Sequence, residues 1–121
     1  MVPLASDLRG RDKTVLVLRL PSMVTDEQVS IIREEFLSRM PRLSGAGLVM
    51  DFSAVELINS IGITCLLQLE EDCRRQKATM LMCQVPAAIA QFFRQLKLDR
   101  RFTVIKDIDT AVDSIESQAT R

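Results

Sequence analysis

Asp51-Phe-Ser-Ala-Val-Glu-Leu-Ile-Asn-Ser-Ile-Gly-Ile-Thr-Cys-Leu-Leu67 is the stretch whose reading decides the fold. It starts inside the short apolar run Leu48-Val-Met-Asp-Phe52, crosses a polar turn, and enters a helix that opens at Asn59-Ser60-Ile61-Gly62. A run that short and that apolar fits a strand buried on both faces. Asn59 and Ser60 are both good N-cap residues, and either side chain can accept a bond from the first helical amides. Cys65, Leu66, Leu69 and Cys73 then fall on one helical face. A serine at this opening sits at the surface over unpaired N–H groups, where the helix dipole tolerates added negative charge.

Outward from this segment the same alternation repeats. Thr14–Leu20 reads as a strand stopped by Pro21. Thr25 or Asp26 caps a helix whose apolar face is Val29, Ile32, Phe36 and Met40, ended by Pro41 and Ser44-Gly-Ala-Gly47. Ala78–Cys83 is the next strand, and Pro86 stands near the start of a helix carrying Ile89, Phe92, Phe93 and Leu96. Phe102–Ile105 is a last short strand, and Asp107 or Asp109 caps a final helix with Ile108, Ala111, Val112 and Ile115 on one side. The first ten residues are expected to add an edge strand before a turn at Gly10–Lys13, and Ser117–Arg121 is expected to fray.

The predicted class is α/β, in the order β-β-α-β-α-β-α-β-α. It implies a mixed, mostly parallel sheet of about four or five strands with about four helices. The first strand pair, joined by a short polar turn, is expected to be antiparallel.

Composition narrows the chemistry. The 121 residues suit a single domain over 1–121, with a core from about 14 to 115. Sixteen Lys and Arg balance sixteen Asp and Glu, and neither Tyr nor Trp is present, so direct nucleic-acid binding has no support. The absence of His removes the commonest general base and metal ligand. Cys65, Cys73 and Cys83 form no metal or disulfide pattern and read as small buried hydrophobes. A thiol enzyme would need an activating partner, and neither Lys77 nor Arg75 is placed to form one. No Gly-rich phosphate loop, secretory signal or membrane-spanning run is found, so no cofactor and no membrane insertion are expected. Reduced thiols suit the cytoplasm.

With these elements in place, the chain resembles the STAS family, and within it the anti-sigma factor antagonists, from about Thr14 to Ile115. The likeness rests on Asp51-x-Ser53-x-Val55 with Asn59-Ser60-Ile61-Gly62, the Leu-rich helix, the Ala78–Cys83 strand and Leu96–Phe102. Asn59 stands where the family usually has Asp. The family's Gly-x-x-Asp turn appears here as Ser22-Met-Val-Thr25, followed by Asp26. The resemblance implies the STAS fold and no enzymatic activity. It also implies that Ser60 is phosphorylated by a serine/threonine kinase that doubles as the anti-sigma factor, a modification that releases the kinase. Weak homodimerisation is compatible with it. The partner surface is then expected around Ser60, at Met23, Val24, Thr25, Ile58, Asn59, Ile61 and Gly62, with Gly62 leaving room for the kinase. Met23, Val24, Ile58 and Ile61 could equally fold inward as core, and Ser60 could be only a cap. An unphosphorylated scaffold in a signalling or transporter complex is the alternative function.

Overall fold

A computed structural model describes residues 5–9, 15–39 and 47–119. The main sheet contains β1 (Ala5–Arg9), β2 (Val15–Arg19), β4 (Gly47–Asp51), β6 (Thr79–Cys83) and β7 (Thr103–Ile105). Two two-residue strands, β3 (Met23–Val24) and β5 (Leu57–Ile58), form a separate parallel pair. The helices are α1 (Asp26–Arg39), α2 (Ser60–Arg75), α3 (Ala87–Gln95) and α4 (Ile108–Ala119). The strand order is β1-β2-β4-β6-β7. β1 runs antiparallel to β2, and the other neighbours are parallel.

Alternation along the strands sends side chains to two cores. Leu16, Leu18, Leu48, Met50, Met80 and Met82 face α1, α2 and α3, meeting Ile32, Leu66, Leu69 and Phe93. Val15, Val17, Val49, Leu81 and Cys83 face α4 through Ala111, Val112 and Ile115. The central strand β4 is buried along its whole length, as its unbroken apolar run requires. Gly47, read from sequence as part of a loop, begins this strand, and a Cβ there would collide with Ile115. That absence of a side chain lets α4 lie close against the sheet.

Each helix start follows from a local acceptor. Thr25 O accepts the Val29 N–H at 3.1 Å and opens α1. Of the two candidate caps for α4, Asp107 fills the role: its Oδ1 accepts the Thr110 N–H at 2.8 Å. That bond holds the Asp107 carboxyl below its ordinary range. Pro86 precedes α3 without capping it by a side chain. α4 runs through Ala119, so residues 117–119, expected to fray, continue the helix; Ser, Gln and Ala are compatible with helical backbone. Met40, the helix end at Pro41 and the turn at 10–13 lie outside the described residues.

β3 and β5 were not predicted. Two residues are too few to show a period, yet the pair is held by the Ser22 carbonyl. Ser22 O accepts from Glu56 N–H at 2.8 Å and from Leu57 N–H at 3.0 Å. The ladder ties the turn after β2 to the turn before α2.

Phe93 joins the three-helix core at its centre, edge-on to Phe52 at 6.2 Å between ring centroids and tilted against Phe102 at 5.3 Å. Phe93→Ala should therefore lower stability by about 3–5 kcal/mol. Urea unfolding followed by circular dichroism measures it, and a loss below about 1 kcal/mol would contradict this packing.

Candidate functional site

The start of α2 is seated on the β3–β5 pair. Asn59 is the N-cap, with extended backbone at φ −86° and ψ 169°. Its Oδ1 accepts the Gly62 N–H at 2.6 Å, and its carbonyl accepts the Ile63 N–H at 3.0 Å. Its own N–H reaches back to Val24 O at 3.4 Å. Of the two candidate caps, Asn59 therefore takes the position, because its amide oxygen spans three residues to the Gly62 nitrogen. Ser60 is the first helical residue and is exposed. Its hydroxyl makes no cap bond, and the Ser60 and Ile61 amides have no protein acceptor among the described residues. An anion here would meet free donors and the positive end of the dipole.

The residues expected around Ser60 divide sharply. Met23, Asn59 and Ile61 are exposed, and Thr25 is half-buried. Val24 and Ile58 are paired in the short ladder and turned into the core, so their apolar side chains are not surface. Gly62 is buried as well: a Cβ there would lie 2.5 Å from Val24 O. Its lack of a side chain serves the packing of α2 on β3, not the approach of an outside molecule. Sequence reading missed Leu57, which is 53% exposed and stands opposite Met23 in the ladder register. Alternation in β5 turns Leu57 away from the buried Ile58, but a two-residue strand carries no period by which the sequence would show it. Met23, Leu57 and Ile61 are the large exposed hydrophobics at this end of the sheet.

Asp51, at the end of β4, is buried and closes the turn that follows. Its Oδ1 accepts the Ser53 N–H at 2.9 Å, and its Oδ2 pairs with Arg19 Nε at 3.2 Å. The thiols are arranged for packing. Burial, aided by Asp72 and Glu70, pushes the Cys73 thiol up to about 12; burial, aided by Asp51 and Asp107, does the same for Cys83. Both are protonated at neutral pH and poor nucleophiles. Among the described residues no group of three or more His, Cys, Asp or Glu could hold a metal ion. Nor is any described helix long and apolar enough to cross a membrane.

A family model, that of the STAS domain, matches residues 6–111. Comparison with curated proteins gives no match. Among solved structures, Moorella thermoacetica RsbS in a serine-to-glutamate form is 19% identical, with a TM-score of 0.76, over 99% of this chain and 100% of that one. An anti-sigma-factor antagonist (STAS) domain protein from Planctomyces limnophilus is 16% identical, with a TM-score of 0.75, over 95% of this chain and 98% of its own. The murine Solute Carrier 26 family member A9 anion transporter is 17% identical, with a TM-score of 0.69 over 86% of this chain. The chain spans only 18% of that transporter's length. At these identities the likeness is one of fold.

Gly62→Ala should destabilise the protein by about 1–3 kcal/mol, because the new methyl meets a backbone oxygen that cannot rotate away. Asn59→Ala should cost about 1 kcal/mol through the lost cap. Thermal unfolding tests both, and a neutral Gly62→Ala would contradict the close approach. A thiol reagent at pH 8 should modify Cys65, which is half-buried, well before Cys73 and Cys83. The buried thiols contribute no pH dependence below about 9, the ordinary thiol value. Between about 9 and 12 stability should fall as pH rises, because the unfolded chain releases protons that the fold retains.

Proposed function

Because the chain belongs to the STAS domain family, we propose that it is an anti-sigma factor antagonist controlled by phosphorylation of Ser60. Unmodified, it binds a serine-kinase anti-sigma factor in the cytoplasm and frees the sigma factor for transcription. Phosphorylated, it lets the kinase go. The observation that carries this reading is the spare hydroxyl of Ser60. Asn59 does the capping, and Ser60 is left exposed at the mouth of α2 with Met23, Leu57 and Ile61 around it. The likeness to the Moorella and Planctomyces proteins supports it.

The physics separates fold from interface. Phosphorylation adds a charge of about −1.5 to −2 and three acceptor oxygens. At the start of α2 that charge faces free amides and a favourable dipole, so the domain itself should lose little stability. Beneath a docked partner the same group becomes a buried anion without a counter-charge, which costs several kcal/mol. A loss of about 3 kcal/mol weakens binding more than a hundredfold. The contact surface comprises Met23, Leu57 and Ile61 with Thr25 and Asn59; Val24, Ile58 and Gly62 act from beneath by holding it in shape.

The murine transporter neighbour favours a second reading, in which the domain is an unphosphorylated scaffold within a larger assembly. One experiment separates the two. Incubated with the host's serine-kinase anti-sigma factor and ATP, the protein should gain a single phosphate by intact mass, and Ser60→Ala should gain none. No phosphate under saturating kinase favours the scaffold. Ser60→Glu should unfold at an unchanged temperature yet bind the kinase at least a hundredfold more weakly by titration calorimetry. Binding at wild-type strength would refute the interface described above.

A further inference from the structure

The strand register lines up one row of side chains across the main sheet. Leu18 stands beside Met50, Met50 beside Met82, and Met82 beside Val104. Leu18, Met50 and Met82 belong to the core beneath α1, α2 and α3, and the shared pleat turns Val104 to the same face. The first three are 0% exposed, whereas Val104 is 48% exposed. A core-facing row thus reaches the last strand and finds no cover there.

β7 is also an edge of the sheet. It pairs with β6 on one side, and among the described residues no backbone bond reaches Thr103, Val104 or Ile105 from the other. Such an edge is commonly blunted by an inward charge, a proline or a covering segment. The β7 residues Thr103-Val-Ile105 include neither charge nor proline, and only their small number limits pairing. Leu96, on the crossover that leads into this strand, is another large hydrophobic left 46% exposed.

The charges that flank β7 are opposite in sign and equally spaced about Val104. Arg101 precedes it by three residues and Asp107 follows it by three. Both have capacity to spare. Arg101 lies 3.7 Å from Glu70 Oε2, beyond hydrogen-bond distance, and its side chain is 44% exposed. Among the described residues the Asp107 carboxylate is hydrogen-bonded only to Thr110.

We propose that β7 pairs with β7 of a second copy of this chain, antiparallel, about a two-fold axis through Val104. This register sets Val104 against itself, Thr103 against Ile105, and Arg101 against Asp107 at both ends. It is an isologous contact, self-complementary in charge and in apolar surface. A parallel pairing in register would instead set Arg101 beside Arg101 and Asp107 beside Asp107, and like charges directly opposite are destabilising. The row Leu18–Met50–Met82–Val104 then continues into the partner sheet, and the exposed valine gains the neighbour that it lacks. A contact centred on three residues is small beside that of a permanent dimer, so the dissociation constant is on the order of 10–100 μM. Antiparallel pairing points the two sets of strand ends in opposite directions. Ser60 follows β4, two strands in from β7, so each copy keeps its serine exposed, one at either end of the dimer.

The test is sedimentation equilibrium of the 121-residue chain between about 5 and 500 μM, a range that brackets this constant. Monomer should pass into dimer across it. Val104→Lys puts two like charges at the axis and should weaken association at least about tenfold, with the circular dichroism spectrum unchanged. Val104→Cys and Thr103→Cys, each combined with Cys65→Ser, read the register under mild oxidation. The Val104 variant should cross-link at least about tenfold faster, since only that position meets its own copy. If Val104→Lys fails to fold, the two cross-linking variants decide. A chain that stays monomeric throughout, association that Val104→Lys leaves intact, or equal cross-linking at the two positions overturns the proposal.

Discussion

The contact between Gly62 and the Val24 carbonyl is the constraint on which the rest of the site depends. Where a Cβ would stand 2.5 Å from that oxygen, only hydrogen fits, and α2 can descend onto the short ladder of β3 and β5. Once it is that close, the Asn59 N–H reaches Val24 O, and the Asn59 side chain reaches the Gly62 amide. The cap, the ladder and the close approach are thus one interlocked arrangement. Ser60 is left outside it. A hydroxyl that no neighbour needs can be altered chemically without loosening the joint beside it, and this separates modification from folding.

The two sheet faces are covered unequally. Three helices bury Leu16, Met50, Met82 and their neighbours on one side, and α4 alone covers the β-branched Val15, Val17 and Val49 on the other. A single helix suffices because the residues beneath it are small and Gly47 admits it closely. The aromatic rings of Phe52, Phe93 and Phe102 fill the deeper side, where more helix surface must be met. Two buried carboxylates are satisfied by backbone or arginine, Asp51 in its own turn and Asp72 between Arg33 and Arg75; Glu70 accepts from Arg74, while its Oε2 has no hydrogen-bond partner among the described residues. Two of the three thiols lie within these cores, and their raised pKa values reflect that burial and the nearby carboxylates.

Most of the fold was legible because long periodic segments carry their own signal. The unbroken run at β4 and the i, i+3, i+4 spacing of Ile89, Phe92 and Phe93 identify a buried strand and an amphipathic helix without further context. The antiparallel first pair and the parallel remainder also followed from connection lengths. What escaped reading were features decided by tertiary contact. Nothing within Ser22–Val24 or Glu56–Ile58 shows that the two segments meet across more than thirty residues, so the burial of Val24 and Ile58 and the exposure of Leu57 were hidden. Asn59 and Ser60 are comparable caps by type; the reach of the longer side chain decided between them. Gly62 was legible as a glycine near the serine, but the carbonyl that requires it lies on a different strand.

The strand order has a consequence for how the molecule comes into being. β4 lies between β2, which precedes it, and β6, which emerges from the ribosome more than thirty residues later. Until β6 and β7 leave the exit tunnel, only the β1–β2 hairpin and the α1 crossover to β4 can assemble, and one long edge of β4 stays open. A nascent chain paused at that stage shows an apolar, fully hydrogen-bond-competent strand edge to its surroundings. The interval between the release of β4 and the release of β6, with α2 and the serine at its mouth emerging in between, is therefore the stage at which the nascent chain is most open to pairing with the wrong strand.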